Sequence, residues 1–277
     1  MVGNRKRWHN PVLYTLASIT LLIMIYPYLH MVMHSLAVWD QVDRNFFPTK
    51  FTLRSYQWLL LGAEDVQPRP WLRAFLNSMF VTISSTLLMM LTAVLAGYAL
   101  SKFVFKGKKA VNNVILFQMF FPSIILLIPS FLIVKQLGLY DTYWGMILPK
   151  SVSLWAIFMY TNFFKVIPND LIEAAKLDGA SEFHILFRIV LPMSRSITTI
   201  VFLFLFMERW VELLWDMLIV KGQQHLTLNV LLAQMFGPYG AYPGPMYAAS
   251  VILTVPIILL FLACSKYFKE GIQFALK

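Results

Sequence analysis

Four charged side chains, Glu208, Arg209, Glu212 and Asp216, crowd into a segment at 197–220 that is otherwise apolar. A charge near the centre of a bilayer costs roughly 2.5–3.5 kcal/mol on insertion scales, so such groups face a partner or an aqueous path. Their types and spacing admit two readings. In one, Arg209 pairs with Glu208, with Glu212 or with a second subunit, and the cluster is structural. In the other, Arg209 joins Lys150, Trp210, Glu212 and Trp215 in lining a path for solute, where indole faces stack on sugar rings and cations meet carboxylates. Catalytic chemistry finds less support. The five histidines, His9, His30, His34, His184 and His225, are scattered. His30 and His34 stand four apart and share a helix face, but neither a glutamate nor a third ligand accompanies them along the chain, so no metal site is expected. No GxxxxGK[ST] phosphate-binding loop occurs, so the chain is expected not to be an enzyme, and any ATP hydrolysis belongs to another polypeptide.

A second stretch with chemistry runs over 168–192, PNDLIEAAKLDGASEFHILFRIVLP, a polar excursion between apolar runs. It reads as two short helices around a sharp turn. Asp170, with Glu173 three residues on, fits the cap of the first helix. Gly179 supplies the bend, Ser181 caps the second helix and Pro192 ends it. Phe183, Leu186, Phe187 and Val190 recur at helical spacing and give the second helix an apolar face. The small Ala174 and Ala175, with Leu171 and Leu177, leave a narrow surface against which another protein can pack.

Glu173-Ala174-Ala175, then Asp178-Gly179-Ala180, then Ile189, Leu191 and Pro192 resemble the EAA loop of ABC importer permeases, in the form found in the carbohydrate-uptake family related to the inner-membrane subunits of the maltose transporter. Asn77-Ser78, Gly97-Tyr98-Ala99-Leu100, Phe105-Lys106-Gly107 and Leu137-Gly138-Leu139 with Thr142 are similar to the same family, so the resemblance covers nearly the whole chain. It implies that 168–192 is a coupling helix seated in a cleft of an ATPase subunit, with Glu173, Ala174, Ala175, Asp178, Gly179, Ala180 and Phe187 as the coupling residues. It also implies a second homologous permease, two ATPase subunits that carry ATP and Mg, and an extracytoplasmic solute-binding protein, with no cofactor on this chain. Ser196 stands where such permeases often carry a proline. In the family's pattern around the fifth span, Trp210, Glu212, Leu214 and Trp215 match. Val211 replaces the usual asparagine, Asp216 replaces the usual proline, and Glu208 and Arg209 add charge that the pattern does not require. These departures point to an acidic oligosaccharide, uronate-containing and alginate-like, as the cargo. A neutral sugar or another small solute is the alternative, and a membrane-embedded enzyme or a passive channel is remote.

Composition sets the medium. Of 277 residues, 59% are hydrophobic and 13% charged, a balance no soluble domain of this size tolerates. The formal charge of +10 suggests nucleic acid, but the basic residues are scattered between apolar blocks and form no continuous basic face. The single cysteine, Cys264, excludes an internal disulfide. The expected fold is all-α and integral to the membrane: six transmembrane helices at about 11–33, 74–100, 110–134, 143–164, 197–220 and 246–265, in one permease domain over 1–277. Pro122 and Pro129 are expected to kink the third span. Arg5, Lys6 and Arg7, the cluster Lys102, Lys106, Lys108 and Lys109, and Lys176 and Arg188 place both termini and the 168–192 loop in the cytoplasm by the positive-inside rule, and the resemblance implies that the membrane is the inner membrane of a bacterial cell.

Overall fold

The computed structural model describes residues 11–62, 70–234 and 242–275, with side chains as far as Ser265. Arg5, Lys6, Arg7, Arg69, Lys277 and most of the Gly/Pro-rich stretch at 237–245 lie outside the described residues. Within them the regular structure is helical, apart from one isolated antiparallel bridge between Ala37 and Phe51. The chain forms two compact units, one of 1–69 with 234–254, the other of 70–233 with 255–277.

In the first unit, α1 (Pro11–Ser35) is long, apolar and exposed over most of its length, as a helix facing lipid is. The chain then winds through 36–53 into α2 (Arg54–Leu61). Two contacts close this stretch: the Trp39 indole N–H donates to Ser55 Oγ at 3.1 Å, and the Arg54 guanidinium lies 4.4 Å from the centre of the Trp39 ring.

The second unit is built on α3 (Trp71–Lys102), 32 unbroken residues rich in Leu, Met and Ala. The sequence leads to single helices over 110–134, 143–164 and 197–220; the structure breaks all three. α4 (Lys108–Met119) gives way at Pro122 to a short 3-10 turn, Ser123–Leu126, and then to α5 (Leu127–Gln136), with a 97° bend. The missing proline amide and its fixed φ account for a break at that residue. α6 (Tyr143–Ile147) runs into a 3-10 turn, Leu148–Lys150, that contains Pro149, and α7 (Leu154–Val166) restarts with Ser153 as its cap, its hydroxyl accepting from the Ala156 amide.

Two short helices follow, α8 (Asn169–Leu177) and α9 (Glu182–Ile185). A π turn over Leu186–Val190 then leads into α10 (Leu191–Met193). The chain bends by 86° between Glu182–Met193 and α11 (Arg195–Trp210). α12 (Leu214–Ile219), α13 (Leu228–Ala233) and the long α14 (Pro243–Ala275) complete the order. By length and apolarity, Pro11–Ser35, Trp71–Lys102 and Pro243–Ser265 can each cross a membrane, and two bent pairs qualify if each pair counts as one span.

The core of the second unit forms where α3 and α7 meet. Ala93, Val94 and Tyr98 pack with Ala156, Tyr160 and Phe164, and the cluster extends to Ile185, Leu186 and Val190. Gly97 sets the distance between the two helices, because a Cβ there would lie 2.7 Å from Tyr160 Cβ and 3.2 Å from the Thr161 amide nitrogen. At an ordinary helix position Gly→Ala stabilises by about 0.5–1 kcal/mol. Here overpacking, at about 1–3 kcal/mol, wins. Gly97→Ala is therefore expected to lower the melting temperature of the purified chain; an unchanged or raised value would place α3 and α7 out of this contact.

Candidate functional site

The loop over 168–192 is fixed at its start, its turn and its finish. At the start, Lys102 at the end of α3 donates from Nζ to the Ile167 carbonyl at 2.7 Å and to Asn169 Oδ1 at 2.8 Å. The expected Asp170 cap does not form; Pro168 occupies the cap position with no side-chain hydrogen bond, its fixed φ opening α8 instead. At the turn, Gly179 takes φ of +79°, the left-handed conformation a glycine tolerates best, and the Gly179 and Ala180 amides close back on the Lys176 and Ala175 carbonyls. Ser181 caps the next helix as expected, its hydroxyl accepting the His184 amide at 3.3 Å. At the finish the helix passes through Pro192 and stops at Ser194. The π turn just before Pro192 suits a residue with no amide to give to the preceding turn.

Burial divides this loop into two faces. Ile172, Ile185, Leu186 and Val190 are buried in the core. Leu171, Leu177, Phe183 and Phe187 are exposed, Leu177 at 90%. Glu173, Ala174, Asp178 and Gly179 share that exposed side, with Ala175 and Ala180 half-buried at its edge. Ala175, Asp178, Gly179, Ala180, Ser181, His184 and Ile189 line a shallow groove. One acidic residue braces the turn: Glu182 Oε1 lies 2.6 Å from Lys176 Nζ, and Glu182 Oε2 accepts from the Tyr98 hydroxyl at 2.7 Å. The Lys176 ammonium holds the Glu182 carboxyl below its usual range; partial burial works against this and the Tyr98 hydroxyl adds to it. Glu182 is not among the coupling residues that the resemblance implies.

The charged cluster resolves into two pairs and one remaining carboxylate. Arg209 and Asp216 are 3% and 2% exposed, and the guanidinium fork binds the carboxylate through both nitrogens at 3.2 and 2.7 Å. Arg209 Nε also reaches Ser85 Oγ at 3.4 Å. The partner is therefore Asp216, not Glu208 or Glu212 as the pairing alternative supposed. Two departures from the family pattern, the added arginine and the aspartate in place of proline, are each other's partner. Lys150 Nζ meets Glu212 Oε2 at 2.8 Å with both side chains partly open, and Glu212 Oε1 accepts the Trp215 amide at the start of α12. Trp210 and Trp215 are 1% exposed. Trp210 stacks on Phe206, centroids 5.8 Å apart, and the Trp215 N–H donates to the Gly145 carbonyl at 3.2 Å. In this chain, Arg209, Trp210 and Trp215 are buried inside the protein, and Lys150 and Glu212 are brought together nearer its surface. Glu208 makes no hydrogen bond or ion pair among the described residues. It opens on a pocket with Trp155, Phe204, Met207, Val211 and Ile257.

A third group of residues is brought together from afar. His30 and His34 on α1 are joined by Asp43, which corrects the expectation that no third ligand accompanies them.

A helical, apolar chain with a polar two-helix loop has the form of a transport-system permease, and comparison with known proteins agrees. The sequence profile of the binding-protein-dependent transport system inner membrane component family matches residues 89–272. The chain belongs to that family and is a multi-pass inner-membrane component. It is 28% identical to the lactose transport system permease protein LacG of Rhizobium radiobacter, covering 100% of both chains. It is 29% identical to the polygalacturonan/rhamnogalacturonan transport system permease protein YtcP of Bacillus subtilis, covering 96% of this chain and 97% of that one. The fold matches a chain of a bacterial ABC transporter involved in the import of the acidic polysaccharide alginate, with TM-score 0.84 and 23% identity over 97% of this chain and 99% of that one.

Breaking one side of the buried pair leaves a lone charge, so Arg209→Ala and Asp216→Ala are each expected to cost about 3–5 kcal/mol. Arg209→Met combined with Asp216→Leu should recover most of that loss in thermal unfolding; additive losses in the double variant would refute the pairing. The depressed Glu182 carboxyl has a sign too. Its contribution is complete above the ordinary value of 4.5 and is lost as pH falls through the lower folded value. The melting-temperature difference between wild type and Glu182→Gln is therefore expected to hold from about pH 7 to pH 5 and to shrink below that.

Proposed function

We propose that this chain is a permease subunit of an ATP-driven oligosaccharide importer, forming half of the translocation path. The observation that carries the reading is the loop over 168–192. Its apolar inner face is built into the α3–α7 core, and its outer face leaves Glu173, Ala174, Ala175, Asp178, Gly179, Ala180 and Phe187 available to an ATPase subunit. The partners are a second homologous permease, two ATPase subunits holding ATP and Mg, and an extracytoplasmic solute-binding protein. The chain forms one permease domain over 1–277, with six spans and both termini cytoplasmic, in which the bent and broken segments complete the spans that the three long helices begin. On this reading the chain turns at the 86° bend by Ser194 from lying along the inner surface to crossing the bilayer. ATP favours the closed ATPase pair, and that bias is what reorients the permease.

For the cargo, the names of the relatives support saccharides, and the alginate and polygalacturonan systems support an acidic one. Lys150, paired with Glu212, is the partly open cation of the charged cluster, and Arg209, Trp210 and Trp215 support that wall from behind. The unpaired Glu208 beside Trp155 and Phe204 favours the second reading, a neutral sugar, because a carboxylate accepts hydroxyl hydrogens while aromatic faces cover a sugar ring.

The test is ATPase activity of the complex in proteoliposomes with its binding protein, given matched uronate and neutral oligosaccharides. Saccharide is expected to stimulate the wild type. Glu173→Ala and Phe187→Ala should each lose stimulation by about tenfold, the effect of about 1.4 kcal/mol at a docking contact. Stimulation by uronates that Lys150→Ala abolishes supports the acidic cargo; stimulation by neutral sugars that Glu208→Ala abolishes supports the other. No stimulation by any saccharide would overturn the reading.

A further inference from the structure

Apart from the coupling loop and the charged cluster, metal-ligating side chains converge at the end of α1. His30 and His34 lie one helical turn apart with their rings stacked, centroids 3.9 Å apart and planes 27° from parallel. The chain leaves α1 and turns back through Asp43, a non-glycine residue at φ of +59°. That turn delivers the Asp43 amide to His34 Nδ1 at 3.2 Å. One ligand atom from each of His30, His34 and Asp43 then lies within 4.8 Å of the others. Tyr247 completes the rim: its hydroxyl donates to Asp43 Oδ1 at 2.6 Å, and its ring centre lies 5.7 and 5.5 Å from those of His30 and His34.

A second observation is independent of this clustering. His34 is fully buried, and its Nε2 has no hydrogen-bond partner. While Nδ1 accepts the Asp43 amide this orphan is an Nε2–H donor; with the ring proton moved to Nδ1 it is a buried lone pair that an ion would satisfy.

We propose that His30, His34 and Asp43 bind a divalent transition-metal ion of the zinc type, with Tyr247 orienting the Asp43 carboxylate. Two imidazoles and one carboxylate are a donor set zinc accepts, with a fourth position left to water. Ligand atoms that share a tetrahedral ion at 2.0–2.1 Å stand about 3.3 Å apart. Closing from 4.8 Å is within the reach of the half-buried His30 and the exposed Asp43 side chains. Coordination through His34 Nε2 requires the ring proton at Nδ1, so it displaces the Asp43 amide and exchanges a long hydrogen bond for a metal bond. The phenol hydrogen-bonded to the carboxylate supplies the outer-shell support that metal ligands need. Bound there, the ion fastens the end of α1 to the 36–53 segment. The proposal does not depend on the identity of the cargo.

The test uses the whole transporter complex in nanodiscs, stripped with chelator and titrated with Zn²⁺ alone against a chromophoric chelator. A parallel titration with Co²⁺ follows its visible absorption. Wild type is expected to hold one ion that His30→Ala and Asp43→Asn remove, while Tyr247→Phe weakens it by about tenfold. Asparagine tolerates the left-handed backbone at 43, so Asp43→Asn removes the ligand charge and keeps the turn. Both ligand variants should melt like wild type in chelator and lose the rise in melting temperature that Zn²⁺ gives the wild type. Absence of a stoichiometric ion in the wild type, or an ion held equally by both ligand variants, would overturn the proposal.

Discussion

A helix broken inside an apolar medium leaves carbonyls and amides that water cannot reach, so the protein must satisfy them itself. This chain breaks three of its candidate spans, and one unbroken helix meets part of that demand and part of the demand of the irregular chain beside them. Along α3, Thr92 Oγ1 donates to the Ser151 carbonyl in the gap before α7, and Lys102 donates to Ile167 just before α8. Ser78 Oγ accepts the Leu228 amide at the start of α13, and Asn77 donates to the Gln224 and Leu226 carbonyls. Ser78, Ser85 and Thr92 stand seven apart, so they form a polar line along one side of the helix. The gap between α11 and α12 is served from elsewhere: Asn229 Nδ2 donates to the carbonyls of Trp210 and Glu212.

The same column carries the two ends of the proposed transport cycle. Tyr98 ties it to Glu182 in the loop, and Ser85 ties it to Arg209 beside the candidate path. The buried arginine–aspartate pair bridges the gap between α11 and α12. Desolvation offsets much of its attraction, so its value lies less in net stability than in holding two short helices at one spacing. Glu212 does related work at the edge, receiving the Trp215 amide with one oxygen and Lys150 with the other.

Much of the fold class and of the loop was legible in the chain. Apolar runs of bilayer length show α1, α3 and the first part of α14 directly, and Gly179 and Ser181 announce a turn and a cap that the structure contains. The breaks were harder to read, because hydropathy averages over a gap of three residues and Pro149 lies in a run that is apolar on both sides. Glu208 and Glu212 read as partners of Arg209 because they stand nearer along the chain, and only the turn at 211–213 brings Asp216 to it instead. Trp210 and Trp215 read as path aromatics because sequence does not say which side of a broken helix faces in. Asp43 was invisible as a neighbour of His30 and His34 because a left-handed residue in irregular chain has no periodicity to follow.

The partnership of Arg209 and Asp216 also constrains descent. Neither residue can be exchanged alone without stranding a charge in the interior, so a lineage that gained or lost this pair had to cross a less stable intermediate or change both positions nearly together. Arg209 and Asp216 are thus one inherited character written at two sites. Among homologous permeases, substitution at either position should predict the residue at the other better than overall similarity does.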